Sequence, residues 1–474
     1  MKKPYPLCIV LVLTSILPVA LTADAPSLAP LERTAEQDRQ DMMDQLGITS
    51  LRPGKNGWAK AGEENAANYD EAKANPYPDL PELLMTEDGK PVKTAKAWHT
   101  IRRPEIIADF ESEVYGRVPQ DTPKVTWSVE TNYSDITVGG IPATVQKLSG
   151  EADNSSYPEI EVAIRATLVL PKETGQPAPV LIMIGWKPLE LPEDPSAPFA
   201  LDGTTPRFNQ DPPSFTQLIA AGWGFVYLEP TSYQADNGAG LTRGIIGLAN
   251  KGQARKPDDW GVLRAWAWGA SRCLDYLETL PEVNSKQVGI EGVSRYGKAA
   301  LVTHAFDQRF AMGLIASSGA GGVALHRRDF GESTENLTSS GAYHWFAGNY
   351  LKYATSESSF GSMTPNDLPV DSHQLIALCA PRPTFISYGI PENGDALWLD
   401  QQGSYMATVA ASPAFELLGA DGISETADYR ESQMPPANTD LLDGELAWRQ
   451  HDGGHESQSN MKHFIRWAEK MLAE

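Results

Sequence analysis

Cysteine is nearly absent from this chain, with three in 474 residues, too few for a disulfide scaffold. Cys8 falls inside the N-terminal apolar run. That leaves Cys273 and Cys379, each in an apolar helical or pre-strand context that reads as an independent buried thiol. Positive charge is also scarce: 39 Lys and Arg against 61 Asp and Glu give a formal charge of −22. That balance opposes binding to nucleic acid or to an anionic membrane surface. There is no Cys/His cluster and no His-Glu-x-x-His helix, so the residues imply neither metal nor cofactor. Internal repeats and low-complexity tracts are missing as well.

Long apolar runs are lacking with one exception, Leu7 to Leu21, which follows Met1-Lys2-Lys3. It reads as a secretory signal spanning residues 1–23 with the small residue Ala23 at the cut, which implies a secreted or periplasmic protein. Pro18 and the shortness of the run argue against a permanent transmembrane helix, so no stable membrane association is expected; the alternative is an uncleaved anchor. Losing Lys2 and Lys3 takes the charge from −22 to −24. Residues 24–96, rich in Ala, Pro, Asn, Asp and Glu, lack sustained apolar periods and read as an extended wrap over a main domain at 97–474.

Within that domain, Lys124 to Glu130 and Ile160 to Leu170 alternate as antiparallel strands do. Val180 to Ile184, Gly224 to Leu228, Gln287 to Glu291, Phe310 to Ile315 and Thr384 to Tyr388 are short continuous apolar runs, the pattern of buried parallel strands. Helical segments separate them, notably Trp260 to Leu280, Lys298 to Phe306 and Asn460 to Leu472. The expected fold class is α/β, a three-layer αβα sandwich around a mostly parallel sheet.

Gly292-Val293-Ser294-Arg295-Tyr296-Gly297-Lys298 carries the chemistry. A serine between two glycines, after a strand and before a helix, is the nucleophile elbow of an α/β-hydrolase. A serine nucleophile needs a base, and chain order in this superfamily places it near the C-terminus. Of His451, His455 and His463, the choice is His455, since Gly453-Gly454 lets its loop swing over the elbow and a helix follows to anchor it. His463 belongs to that helix, His451 to a loop, and His304 reads as a packing residue.

The Ser-Arg-x-Gly-Lys core resembles the signature of the glucuronoyl esterases, carbohydrate esterases of the α/β-hydrolase superfamily. The likeness covers nearly all of the mature chain. It includes Met42-Met43-Asp44-Gln45-Leu46-Gly47-Ile48, Ile101-Arg102-Arg103-Pro104-Glu105, Tyr115-Gly116-Arg117-Val118-Pro119, Ala265-Trp266-Ala267-Trp268-Gly269, Tyr343-His344-Trp345-Phe346 and Ala380-Pro381-Arg382-Pro383. These segments point to the bacterial type. Fungal relatives carry cysteines where Val293 and Glu456 stand here, so the bridge they form is absent as a pair.

The resemblance implies hydrolysis of esters joining 4-O-methyl-glucuronic acid branches of glucuronoxylan to lignin alcohols, by a monomer without cofactor. It points to His455 as base and adds the Arg295 guanidinium to the backbone N–H of the elbow as an oxyanion donor. It assigns sugar binding to Lys298, Glu332 and Trp398; otherwise Lys298 would be solvated, Glu332 a helix-start charge and Trp398 core. Arg382 reads as structural. One departure stands out. Where many members have Glu, before Ser318-Gly319-Ala320-Gly321-Gly322, this chain has Ser317, which cannot stabilise an imidazolium. The acid must then follow Thr384 to Tyr388: Asp395 is favoured, Glu392 is the alternative, and Asp371, which precedes the strand, is the weaker third choice. An acetyl-xylan or other carbohydrate esterase is the alternative activity. A catalytically inactive carbohydrate-binding protein is the alternative class.

Overall fold

The computed structural model describes residues 1, 29–172, 175–201, 211–423 and 428–473. The expected signal segment lies outside the described residues, apart from Met1.

Twelve strands occur among the described residues. They are β1 (Ile48–Leu51), β2 (Val125–Val138), β3 (Ile141–Ala152), β4 (Ala163–Pro171), β5 (Ala178–Ile184), β6 (Phe199–Leu201), β7 (Gly224–Glu229), β8 (Val283–Val293), β9 (Met312–Ala316), β10 (Thr355–Ser358), β11 (Thr384–Tyr388) and β12 (Leu446–Gln450). Ten of them form one sheet in the order β12-β11-β9-β8-β5-β7-β4-β3-β2-β6. From β12 through β7 every neighbour is parallel, while β4, β3 and β2 continue antiparallel. The five short apolar runs fall on five of the six mutually parallel strands, β5, β7, β8, β9 and β11, and the alternating runs fall on the antiparallel β2 and β4; β12 and β3 are additional to those expected.

Strand periodicity divides the interior into two cores. Val180, Ile182 and Ile184 of β5 face one, Leu181 and Met183 the other. The larger core takes the helices Val262–Leu277, Arg295–Phe306 and Gln401–Leu417; the smaller takes Ser214–Ala220 and Gln458–Ala473. Parallel strands covered on both faces are largely apolar, as Leu181 and Ile182 of β5 illustrate, facing opposite cores at 0% exposure.

The N-terminal region departs from a purely extended wrap, because Ala35–Leu46 is a helix. Thr34 and Gln37 form a capping box and Gly47 closes it in the left-handed region at φ 69°. Met42 and Met43 are its buried anchors, too narrow a stripe to register as an apolar period. β1 pairs with β10, and further on the wrap is tied by Arg328, which holds both Glu71 and the buried Asp400 at 2.9 and 2.8 Å. No helix among the described residues is long and apolar enough to cross a membrane.

Candidate active site

The carboxyl ends of β8, β9, β11 and β12 converge on one edge of the sheet, and each delivers a polar residue there. β8 ends at Val293 and the helix Arg295–Phe306 begins two residues later, so Ser294 turns the chain alone, at φ 62° and ψ −128°. A positive φ at a non-glycine costs on the order of 1–3 kcal/mol and persists only where the surroundings enforce it. Ser294 N–H donates to Ala316 O at 3.0 Å, which fastens the elbow to β9. The flanking glycines follow from packing. A Cβ on Gly292 would collide with the backbone of Tyr296, and one on Gly297 would sit 2.5 Å from Ala316 O.

β11 ends at Tyr388, and the turn after it folds Asp395 inward to 0% exposure. Asp395 Oδ1 lies 2.7 Å from His455 Nδ1. Its Oδ2 accepts from Gly389 N–H at 2.8 Å and from Ser317 Oγ at 2.9 Å. Ser317, at the end of β9, thus braces a carboxylate arriving from the next strand. Glu392 is exposed. Asp371 is buried elsewhere as the cap of the helix Ser372–Ala377 and pairs with Arg327 at 3.1 Å. Of the three candidate acids, the fold brings Asp395 to His455.

The other histidines separate cleanly. His304 is fully buried between Thr384 Oγ1 and Arg382, whose guanidinium also donates to the carbonyls of His304, Asp307 and Phe310. Both residues are structural, as expected. His451 is buried with Nδ1 accepting from Gly453 N–H, and His463 lies 3.7 Å from Asp440 on the last helix. Cys273 and Cys379 are separate buried thiols.

Arg295 is partly exposed but held by specific partners. Its Nη1 donates to Asp236 Oδ2 at 2.6 Å, and the guanidinium lies between the rings of Trp186 and Trp345, at 5.4 and 5.2 Å. Asp236 also takes Trp345 Nε1–H at 2.7 Å and sits 3.0 Å from His344 Nε2. Burial alone would raise the Asp236 pKa, but these three partners outweigh it and hold the carboxyl at about 2. Burial lowers the His344 pKa despite this neighbour, so the imidazole is neutral at pH 7.

Lys298 is 3% exposed, not solvated. It donates to Ser318 O at 2.6 Å, lies 3.5 Å from Glu332 Oε2 and stands over the Trp345 ring. Desolvation lowers its pKa, with Glu332 opposing. The glycine-rich turn after Ser317 wraps this lysine: a Cβ on Gly322 would be 2.7 Å from Ser318 Oγ and 3.1 Å from Lys298 Cγ. Glu332 is stitched to Trp398 by its backbone N–H, 2.9 Å from Trp398 O, and Gly331 lies too close to Trp398 to carry a side chain. Glu332 Oε2 is buried, and Lys298 at 3.5 Å is its ion-pair partner.

Ser294, Arg295, Lys298, Glu332 and Trp398 share the walls of one cavity of about 400 Å³. The N-terminal wrap supplies a further wall, residues 55–58. All the sequence-predicted binding residues therefore meet at the elbow. Sequence reasoning missed Asp236, Trp186 and the wrap residues; His344 and Trp345 stood inside a recognised segment without a role. The cavity offers a serine at a strained turn and two cations, and the buried carboxylate on an imidazole stands at the neighbouring strand ends. That combination suits acyl transfer.

Comparison with known proteins agrees with this chemistry. The family model described as glucuronyl esterase of fungi matches residues 255–419. A CE15 glucuronoyl esterase from Teredinibacter turnerae T7901 is 39% identical, with a TM-score of 0.81, over 93% of this chain and 100% of that one. A glucuronoyl esterase from Solibacter usitatus is 33% identical with a TM-score of 0.70, over 85% and 100% respectively. A 4-O-methyl-glucuronoyl methylesterase from Schizophyllum commune is 29% identical over 378 residues, 77% of this chain and 80% of its own length.

Proposed function

The chain belongs to the glucuronoyl esterase family, and from that premise we propose the residues by which it hydrolyses esters of 4-O-methyl-glucuronic acid. The observation that carries the proposal is the 2.7 Å bond between buried Asp395 and His455 at the strand end beside the Ser294 elbow. The protein is a carboxylic ester hydrolase of the α/β-hydrolase fold. Its substrates are glucuronoyl esters, such as those linking glucuronoxylan to lignin alcohols.

In the proposed reaction His455 Nε2 takes the proton from Ser294 Oγ as that oxygen attacks the ester carbonyl. Asp395 keeps the other proton on Nδ1 and offsets the charge of the imidazolium that forms. The carbonyl π electrons move onto oxygen, where Arg295 N–H, at the start of its helix, and the Arg295 guanidinium stabilise the oxyanion. Collapse expels the alcohol, which receives the proton from His455 and leaves a uronoyl ester on Ser294. Water then attacks with His455 again as base, releasing the uronic acid and restoring the serine hydroxyl. Lys298 and Glu332, paired at 3.5 Å, hold the sugar hydroxyls as donor and acceptor, and Trp398 lies along the ring. Binding the neutral ester avoids the repulsion that a chain charged at −22 would exert on a polyanion.

Export belongs to the same proposal, supported by Met1-Lys2-Lys3 and the apolar run behind it, as do a monomeric state and a catalytic unit beginning near residue 97. The test is benzyl glucuronate beside acetylated xylan, with wild type and Ser294→Ala. Serine-dependent release of benzyl alcohol is expected. Release of acetate alone would transfer the protein to the acetyl-xylan esterases.

A further inference from the structure

Trp58 is 83% exposed, an unusual state for the largest apolar side chain. It is nevertheless held in place. Lys55 exchanges backbone hydrogen bonds with the Asn336 side chain, at 2.8 and 3.2 Å. Asn56 is bridged to the residues at 65–67, and Tyr69 Oη–H donates to Gly57 O at 3.2 Å. The indole meets Trp398 edge-on, centroids 5.3 Å apart at 76°. This contact fixes its orientation and leaves most of its surface in water, while the residue lines the same cavity as Ser294.

We propose that Trp58 is a stacking platform for a neutral pyranose ring of the polysaccharide backbone that bears the uronate. This rests on the uronate-ester reading above and extends it from the acyl sugar to its neighbour. A cavity of about 400 Å³ is near the small end for ligand sites, so a polysaccharide must leave over its rim. The direction of exit follows from neighbours. Trp58 abuts Trp398, and Trp398 is joined to Glu332 on the wall assigned to the sugar, so the group passing over the indole is carbohydrate. An aromatic face also suits this chain's charge: stacking needs no cation, so it gains affinity for a partly anionic polymer that a surface at −22 repels.

The test compares the methyl ester of 4-O-methyl-glucuronic acid with the same ester carried on a xylo-oligosaccharide, for wild type, Trp58→Ala and Trp58→Phe. The preference for the oligosaccharide, as a ratio of kcat/KM, is expected to fall about tenfold in Trp58→Ala, through KM and independently of salt, and to be largely kept in Trp58→Phe. An unchanged ratio overturns the proposal. So does a loss that instead follows the alcohol, with the preference for benzyl over methyl esters collapsing. A binding titration separates this from failure of the esterase reading. The xylo-oligosaccharide bearing the free uronic acid is added to Ser294→Ala and to Ser294→Ala/Trp58→Ala, following indole fluorescence. Even if the wild type cleaves no uronate ester, about tenfold weaker binding in the double variant supports the platform, and equal binding refutes it.

Discussion

Replacing Asp395 by Asn removes a charge while keeping nearly every atom, and the hydrogen bonds around it dictate how the amide must sit. Oδ2 accepts from two donors, Gly389 N–H at 2.8 Å and Ser317 Oγ at 2.9 Å. An NH₂ group in that position would face the Gly389 N–H, so the amide oxygen takes it and the NH₂ points at His455 Nδ1, now 2.7 Å from Oδ1. His455 must then accept at Nδ1 and carry its proton on Nε2, the nitrogen that has to receive the Ser294 proton. The fold is satisfied and the tautomer is wrong. We expect kcat to fall by about 10⁴, equivalent to about 5.4 kcal/mol in the barrier, with little change in Tm. Asp395→Ala behaves differently, because it strands the buried Gly389 N–H and adds a stability loss of about 1–3 kcal/mol. Glu392→Gln, on an exposed turn, should alter stability by less than about 0.5 kcal/mol and leave turnover near wild type. Benzyl alcohol release and thermal melts on the three variants decide the matter. An Asp395→Asn protein retaining a tenth of wild-type kcat, or a Glu392→Gln protein equally impaired, would refute the assignment of the acid.

Ser317→Ala removes one of the two hydrogen bonds on the outer oxygen of Asp395, and a cost of about 1 kcal/mol in stability with a modest drop in kcat is expected from melts and initial rates. Arg295→Ala should lower kcat by about 10² to 10³ if the guanidinium stabilises the oxyanion; a change in KM alone would remove it from that role. Glu291 provides a pH signature. Burial raises its pKa from the usual 4.5 to about 7, with Ser457 pulling the other way. The folded state therefore binds more protons than the unfolded state between those values. Stability falls as pH rises through that window, by about 3 kcal/mol at 1.36 kcal/mol per pH unit. Glu291→Gln should flatten the Tm profile between pH 4.5 and 7 and melt higher than wild type at pH 8; parallel profiles would contradict this.

Much of the site was legible because local chemistry wrote it into short stretches. The elbow needs glycine on both sides of Ser294, where Tyr296 and Ala316 leave no room for a Cβ. The position of Ser317 excluded one source of the acid and so directed attention to the turn after β11, where Asp395 lies. That Ser317 braces Asp395 was not readable, since it depends on two residues 78 apart in the chain meeting. Asp236 illustrates the same limit: its partners Arg295, His344 and Trp345 are 59 to 109 residues away, and nothing around it forms a motif. Five of the six mutually parallel strands were readable as largely apolar runs because both faces are buried; β12 was not, since its buried Arg449 and Gln450 break the pattern. The helix Ala35–Leu46 was not, since it buries mainly two methionines and Asp38, which accepts from the Tyr343 hydroxyl, although Thr34, Gln37 and Gly47 were local signals of its ends. Trp58 gave no pattern at all; its meaning comes from the neighbour it touches.

The most direct measurement is acid quench of the wild-type enzyme during turnover of a 4-O-methyl-glucuronate ester, followed by proteolysis and mass mapping. The account predicts a 4-O-methyl-glucuronoyl adduct on the peptide containing Ser294, a burst of alcohol matching its formation, and neither in Ser294→Ala. Alcohol release without an adduct, at a rate that survives in Ser294→Ala, would contradict it.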